Sequence, residues 1–265
     1  MTVLDRILAT QSGNLIAVWP LNDASGSTAD NAEGTATKDA DYEGGYTLDN
    51  RLGPFGEDNF VTMNGVSGTA LDIVDPSGST FAGDFKLEAG TFLMWFYPED
   101  VLDLADATLY TLLHVRVDSN NEIRINKSNS GDDMDFIYEA NGTQSSITIT
   151  DIDSEGQVWI FAAMTWEDSV NGDEHNVYFK KGDASLETDS ATAMGAADTS
   201  NPFQGRIFSE RRASNNNFNV SGAYAAFWDI ALSQTEIEYI ITMGISANLV
   251  GSRSRLAGGG GGLVG

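Results

Sequence analysis

The chain has no cysteine, which excludes disulfides and thiolate metal sites and leaves redox chemistry silent about compartment. It has only two histidines, His114 in a strand-like alternation and His175 in a polar hairpin, and no Ser-His-Asp grouping can be built from their spacing. Basic residues are scarce as well. Fourteen Lys+Arg against 39 Asp+Glu give a net charge of −25, a field that repels phosphate backbones and anionic membrane surfaces and argues against a direct nucleic-acid partner. No apolar run approaches the roughly 20 residues of a membrane-spanning helix, so no membrane insertion is expected. The first residues, Met1 to Arg6, lack the basic-then-apolar pattern of a secretory signal. The glycines Gly258 to Gly262 lack the preceding strand and following helix of a phosphate-binding loop.

What is present is a hydrophobic fraction of 41% in 265 residues, enough for a real core and compatible with one β-sandwich or two small domains. Leu4, Ile7 and Leu8 fall at helical spacing in a turn that ends by Gly13-Asn14, and Leu15 to Leu21 form an apolar strand. Residues 35 to 58 read as a long loop or a pair of short edge strands. Asn64-Gly65, between the apolar runs Phe60–Met63 and Ala70–Ile73, predicts a hairpin. Gly90 to Pro98 carries large groups on both faces and should lie centrally, covered from both sides. Leu109–Val117, Glu122–Asn126, Met134–Tyr138 and Ile147–Ile149 alternate as four strands. Gln157–Trp166 follows, with a hairpin partner at Asn176–Lys180 across Asn171-Gly172, and residues 183 to 205 read as a polar loop. Phe218 to Trp228 reads as a strand interrupted by a turn signal at Ser221-Gly222. Ser233 and Glu236 form a capping box, Ile237, Ile240 and Ile241 an apolar stripe, and Gly244 a stop signal.

Four of these segments, in this order, carry a family resemblance. Trp19-Pro20-Leu21 ends the opening strand and is followed by acidic, glycine-containing turns at Asn22–Gly26 and Asp30–Gly34. Thr91, Trp95 and Pro98 fit T-x-x-x-W-x-x-P, Gln157–Trp166 is similar to G-x-W-x-x-x-A-x-T-[YW], and Asp229, Leu232, Ser233, Glu236 and Ile237 match a closing strand-to-helix motif. Together they resemble the laminin-G-like, concanavalin A-like lectin-glucanase jelly rolls. The resemblance implies an all-β fold, a two-sheet antiparallel β-sandwich (jelly roll, concanavalin A-like) with short N-terminal and C-terminal helices. Residues 1–13 would be an N-terminal helical arm, 14–244 the sandwich and 245–265 a glycine-rich tail. One departure is Tyr178–Gly182, where a lysine replaces the family's acidic turn residue, so a ligand role for that turn is not carried over.

Glucanases of this family carry E-x-D-x-x-E on one strand. The nearest approach, Asp133-Met134-Asp135-Phe136-Ile137-Tyr138-Glu139, has the wrong spacing, and no enzymatic activity is expected. Relatives hold Ca²⁺ with rim-loop oxygens, and Asp23, Asp30 and Asn31 form the candidate set here, with turn capping as their alternative role. Beyond calcium, no cofactor is expected. Tyr42, Tyr46 and Phe55 are the candidate glycan-contacting rim residues, or else fold their loop onto the sheet. Arg253 and Arg255, basic residues on an acidic chain, suit docking against the next copy's negative surface. The leading functional expectation is a non-enzymatic virion structural protein, a phage capsid decoration or tail-associated protein, displaying a lectin-like sandwich that binds glycans. Its partners would be virion structural proteins or copies of itself, and its location the virion or the extracellular space. The alternative is a carbohydrate-binding module of a secreted or surface bacterial protein.

Overall fold

The computed structural model describes the chain apart from residues 57, 67, 75–79, 101, 106–107, 130, 154–156, 169–173, 193–194, 196, 210–217 and 243–265. The expected Asn171-Gly172 turn, the Gly244 stop and the tail with Arg253 and Arg255 therefore lie outside the described residues. In chain order the elements are α1 (Val3–Ala9), β1 (Leu15–Trp19), β2 (Thr28–Ala29), β3 (Ala40–Glu43), β4 (Tyr46–Leu52), β5 (Asn59–Asn64), β6 (Ala70–Asp72), α2 (Phe81–Asp84) and β7 (Ala89–Pro98). They continue with α3 (Leu102–Ala105), β8 (Tyr110–Asp118), β9 (Asn121–Lys127), β10 (Met134–Ala140), β11 (Thr143–Ile149), β12 (Ile160–Glu167), β13 (Glu174–Lys181), β14 (Glu187–Ala191), β15 (Gln204–Ile207), β16 (Asn219–Trp228) and α4 (Gln234–Ile241).

The strands build two antiparallel sheets. The first runs β14-β13-β12-β7-β16-β5-β4, with β1 beside the end of β16, and the second runs β11-β10-β9-β8-β15-β6-β3-β2. This is an all-β two-sheet sandwich. As the pattern predicts, β7 is central and covered on both faces: Phe92 packs at 4.8 Å from Phe227, while Trp95, pointing the opposite way, meets Phe161 at 4.8 Å and Tyr224 at 5.9 Å. Phe96 reaches Phe218, which stacks on Tyr110 of the second sheet at 5.2 Å, so Phe92, Met94 and Phe96 face the interior between the sheets.

Three local expectations are corrected. Asn64-Gly65 does not close a hairpin, because β5 pairs with β16 and β4 in the first sheet while β6 pairs with β15 and β3 in the second; the turn carries the chain between layers. Ser221-Gly222 does not break β16, which runs unbroken. Gly222 is required there by close approach: a Cβ would lie 2.2 Å from the Phe208 ring. The irregularity falls later, at a register shift between Ala223 and Ala226 where Tyr224 takes φ +54°. Within 183 to 205, read as a loop, the chain forms β14, whose residues are exposed or half-buried, and begins β15. An apolar alternation was therefore not there to be seen.

The two ends of the described chain meet. Both helices carry complete capping boxes, Thr2 with Asp5 and Ser233 with Glu236. Arg6 donates to the Tyr239 carbonyl at 2.7 Å and lies 4.9 Å over the Tyr239 ring. Val3 and Ile7 are buried, so residues 1–13 are docked on the sandwich rather than projecting from it. The first sheet holds this pair: Trp228 donates to the Thr10 carbonyl at 2.9 Å, and Thr91 of β7 bonds both Ile230 and Leu232 just before α4.

Candidate functional site

The outward face of the second sheet is where polar chemistry collects. The meander β8 to β11 alternates apart from two register shifts between β8 and β9. Leu113, Val115, Ile123, Ile125, Phe136 and Tyr138 turn inward, with Phe136 meeting Phe179 of the first sheet at 6.5 Å. The intervening residues turn outward. Register sets them in rows across the strands: Arg124, His114, Arg206, Asp72 and Asp41 stand side by side, and the next row holds Glu139, Glu122, Arg116 and Gln204. Of the described arginines, Arg6, Arg51, Arg116, Arg124 and Arg206, three belong to this face.

Glu122 is the hub. Its carboxylate faces His114 Nε2 at 2.9 Å, Arg124 Nε at 3.0 Å and Arg116 Nε at 3.7 Å. Burial pushes Glu122 up, but the His114 hydrogen bond and the Arg124, His114 and Arg116 charges outweigh it and hold the carboxyl below its ordinary value. At the far end, Arg206 pairs with Glu43 at 2.7 Å and Asp72 at 3.1 Å. There burial prevails and Asp72 is raised despite Arg206.

The network is incomplete in one direction. His114 Nδ1, Arg124 Nε, Asn126 Oδ1, Gln204 Nε2 and Arg206 Nε are all buried without a hydrogen-bond partner among the described residues. For Arg124, the 3.0 Å approach to Glu122 is close enough for an ion pair but off the line a hydrogen bond needs. Leaving such an atom dry and unpaired costs about 1–3 kcal/mol. Five such atoms lie on one face of the second sheet. The sequence signal was the paired alternation His114-Val115-Arg116 and Glu122-Ile123-Arg124-Ile125-Asn126, apolar on one face and mixed-charge on the other.

The candidate glycan and calcium residues lie elsewhere. Tyr42 is buried on the inward face, its hydroxyl donating to Asp23 at 2.7 Å, and burial together with Asp23 pushes that hydroxyl's pKa up. It stacks with Tyr46 at 5.1 Å, and Tyr46 donates to the Gly26 carbonyl at 3.1 Å. Both rings thus pin the loop after β1. Phe55 packs edge-on against Trp95 at 5.5 Å. Asp23 and Asn31 are engaged in the loop's own hydrogen bonds: Asn31 Oδ1 accepts from the Val18 and Glu33 amides, and Asp23 accepts from Tyr42 and from the Asp30 amide. Trp159 is half-buried and donates to the Leu52 carbonyl at 3.1 Å. The other four tryptophans are buried.

No protein-family model matches the chain, and no curated protein matches it. Among solved structures it is similar to the botulinum neurotoxin serotype D binding domain, with TM-score 0.57 and 12% identity over 89% of this chain and 51% of that one. It is also similar to the binding domain of Paraclostridial Mosquitocidal Protein 1, with TM-score 0.58 and 14% identity over 90% of this chain and 52% of that one. A third likeness is to the Trypanosoma rangeli sialidase solved with sialic acid, with TM-score 0.59 and 13% identity over 92% of this chain and 34% of that one. The chain spans about half the length of the two binding domains and about a third of the sialidase. At such identities the likeness is one of fold, a two-sheet β-sandwich.

Proposed function

We propose that the chain is a non-enzymatic recognition module, a laminin-G-like, concanavalin A-like sandwich that binds glycans through the outward face of its second sheet. The observation that carries the reading is the cluster of unpartnered buried polar atoms at His114, Arg124, Asn126, Gln204 and Arg206. A sugar ring, with several hydroxyls that both donate and accept, is the ligand such a surface suits. Catalysis is not part of the proposal. Asp135 and Glu139 share this face but stand four residues apart on one strand, roughly 13 Å at the usual rise, beyond the separations glycosidase carboxylates use, and Glu122, which stands opposite Glu139, is held by His114 and Arg124.

Display on a virus particle, in a phage capsid or tail, is the finer part of the proposal. It is supported by the docking of α1 on α4 against the first sheet, which puts both ends of the described chain together and leaves the second sheet's outer face pointing away from them. Anchoring through the ends, with Arg253 and Arg255 meeting virion proteins or further copies, would then present the ligand face outward.

A glycan array probed with the full chain tests the core of this. Retention is expected, and Gln204→Ala should weaken it about tenfold, the worth of one well-placed hydrogen bond, while leaving the melting temperature nearly unchanged. An array that retains nothing, or a Gln204→Ala chain that binds as well as the original, contradicts the assignment.

A further inference from the structure

The charge balance of the same face indicates which glycans it accepts, an inference that rests on the glycan-binding reading. We infer that the site selects electrically neutral, hydroxyl-rich sugars and rejects acidic ones. The arginines invite the opposite conclusion, since guanidinium groups are favoured partners of carboxylates. Here their charge is already matched. Arg116 and Arg124 face Glu122, and Arg206 faces both Glu43 and Asp72. Asp41, Asp135 and Glu139 complete the face, so carboxylates outnumber guanidiniums on it. The chain's net charge of −25 adds a long-range field of the same sign. An incoming sialic or uronic acid would have to displace one of these pairings or sit unpaired beside them.

The unpartnered atoms point the same way. Arg124 Nε, Arg206 Nε and Gln204 Nε2 are donors, whereas Asn126 Oδ1 is an acceptor, and His114 Nδ1 takes either role according to tautomer. A carboxylate only accepts, so it supplies nothing to Asn126 Oδ1 that the sugar's hydroxyls do not, while its charge meets the carboxylates already on the face. A hydroxyl does both, and a pair of adjacent ring hydroxyls can accept from a guanidinium while donating to a neighbouring oxygen.

The test uses paired oligosaccharides, each neutral glycan beside the form differing only by a terminal sialic or uronic acid, titrated into the full chain at low and high salt. The neutral member is expected to bind at least about tenfold tighter, with an affinity that changes less than about twofold with salt, because no net charge is exchanged. Asn126→Ala should weaken neutral binding. Asp41→Asn, at the exposed end of the row, should raise affinity for the acidic partner roughly twofold, the Coulomb worth of one solvated charge several ångströms away. Preference for the acidic member, or equal affinity for both, overturns the inference and leaves glycan binding standing. Binding of neither member overturns both.

Discussion

Glu122→Ala lowers the unfolding free energy by about 3–5 kcal/mol, the cost of removing one partner from a buried ionic cluster. The substitution leaves His114, Arg116 and Arg124 converging on an empty space from 2.9, 3.7 and 3.0 Å. His114 is essentially without solvent contact and cannot recover its lost partner from bulk water, whereas Arg116 keeps its Nε hydrogen bond to the Asp118 carbonyl at 2.7 Å and loses only a charge contact. Arg124, at 24% exposed, can recover its partner from water in part, which favours the lower end of the range. Glu122→Gln keeps an acceptor for His114 and should cost less, separating charge from hydrogen bonding. Urea unfolding of the three chains measures it. A Glu122→Ala loss below about 1 kcal/mol would mean that the cluster is solvated, and the case for a built site would fail with it.

Mild acid destabilises the fold through His175. Its ring is completely buried, pairs in register with Trp166, and has no hydrogen-bond partner on either nitrogen among the described residues. Burial lowers its pKa from 6.5 to about 4. As pH falls through that window the unfolded chain takes up a proton that the folded chain refuses, so stability falls from pH 6.5 downward and this contribution levels off near pH 4. The full shift corresponds to about 3 kcal/mol at 1.36 kcal/mol per pH unit. Glu122, whose pKa is lowered, acts in a lower window: its stabilisation is present above its ordinary value of 4.5 and is lost as pH falls through the folded value. His175→Leu should flatten the stability profile between pH 6.5 and 4 while leaving the steeper loss below it. Parallel profiles for the two chains would show that the ring is hydrated or paired in solution.

The layers were legible because they rest on local pattern. The apolar run Gly90–Pro98, the alternations from Leu109 to Ile149 and the Ser233–Glu236 capping box each announce their element within a few residues, and each forms close to where it was expected. The register between elements was not legible. Arg206 stands beside His114 and Asp72 only because β15 inserts between β8 and β6, a pairing set by the closure of the whole sheet. In the sequence His114 stands alone as a histidine in a strand, and the aromatics and carboxylates of ligand-binding type fall in loops. Tyr42 and Asp23 proved to satisfy each other. Asn31 proved to be an amide cap whose oxygen serves Val18 and Glu33. Side chains that can bind ligands in isolation are consumed locally when a loop must order itself, whereas the strand face kept atoms unspent.

In the proposed mode of binding the ligand contacts the outward face of the second sheet. The guanidinium Nε–H resonances of Arg124 and Arg206 report on it directly in a ¹H–¹⁵N spectrum, followed while a neutral oligosaccharide is titrated into the full chain. Both signals are expected to move with a common saturation curve while the indole signal of half-buried Trp159, just before β12 of the first sheet, stays in place. Movement at Trp159 with Arg124 and Arg206 unchanged would place the ligand on the other sheet and contradict the account.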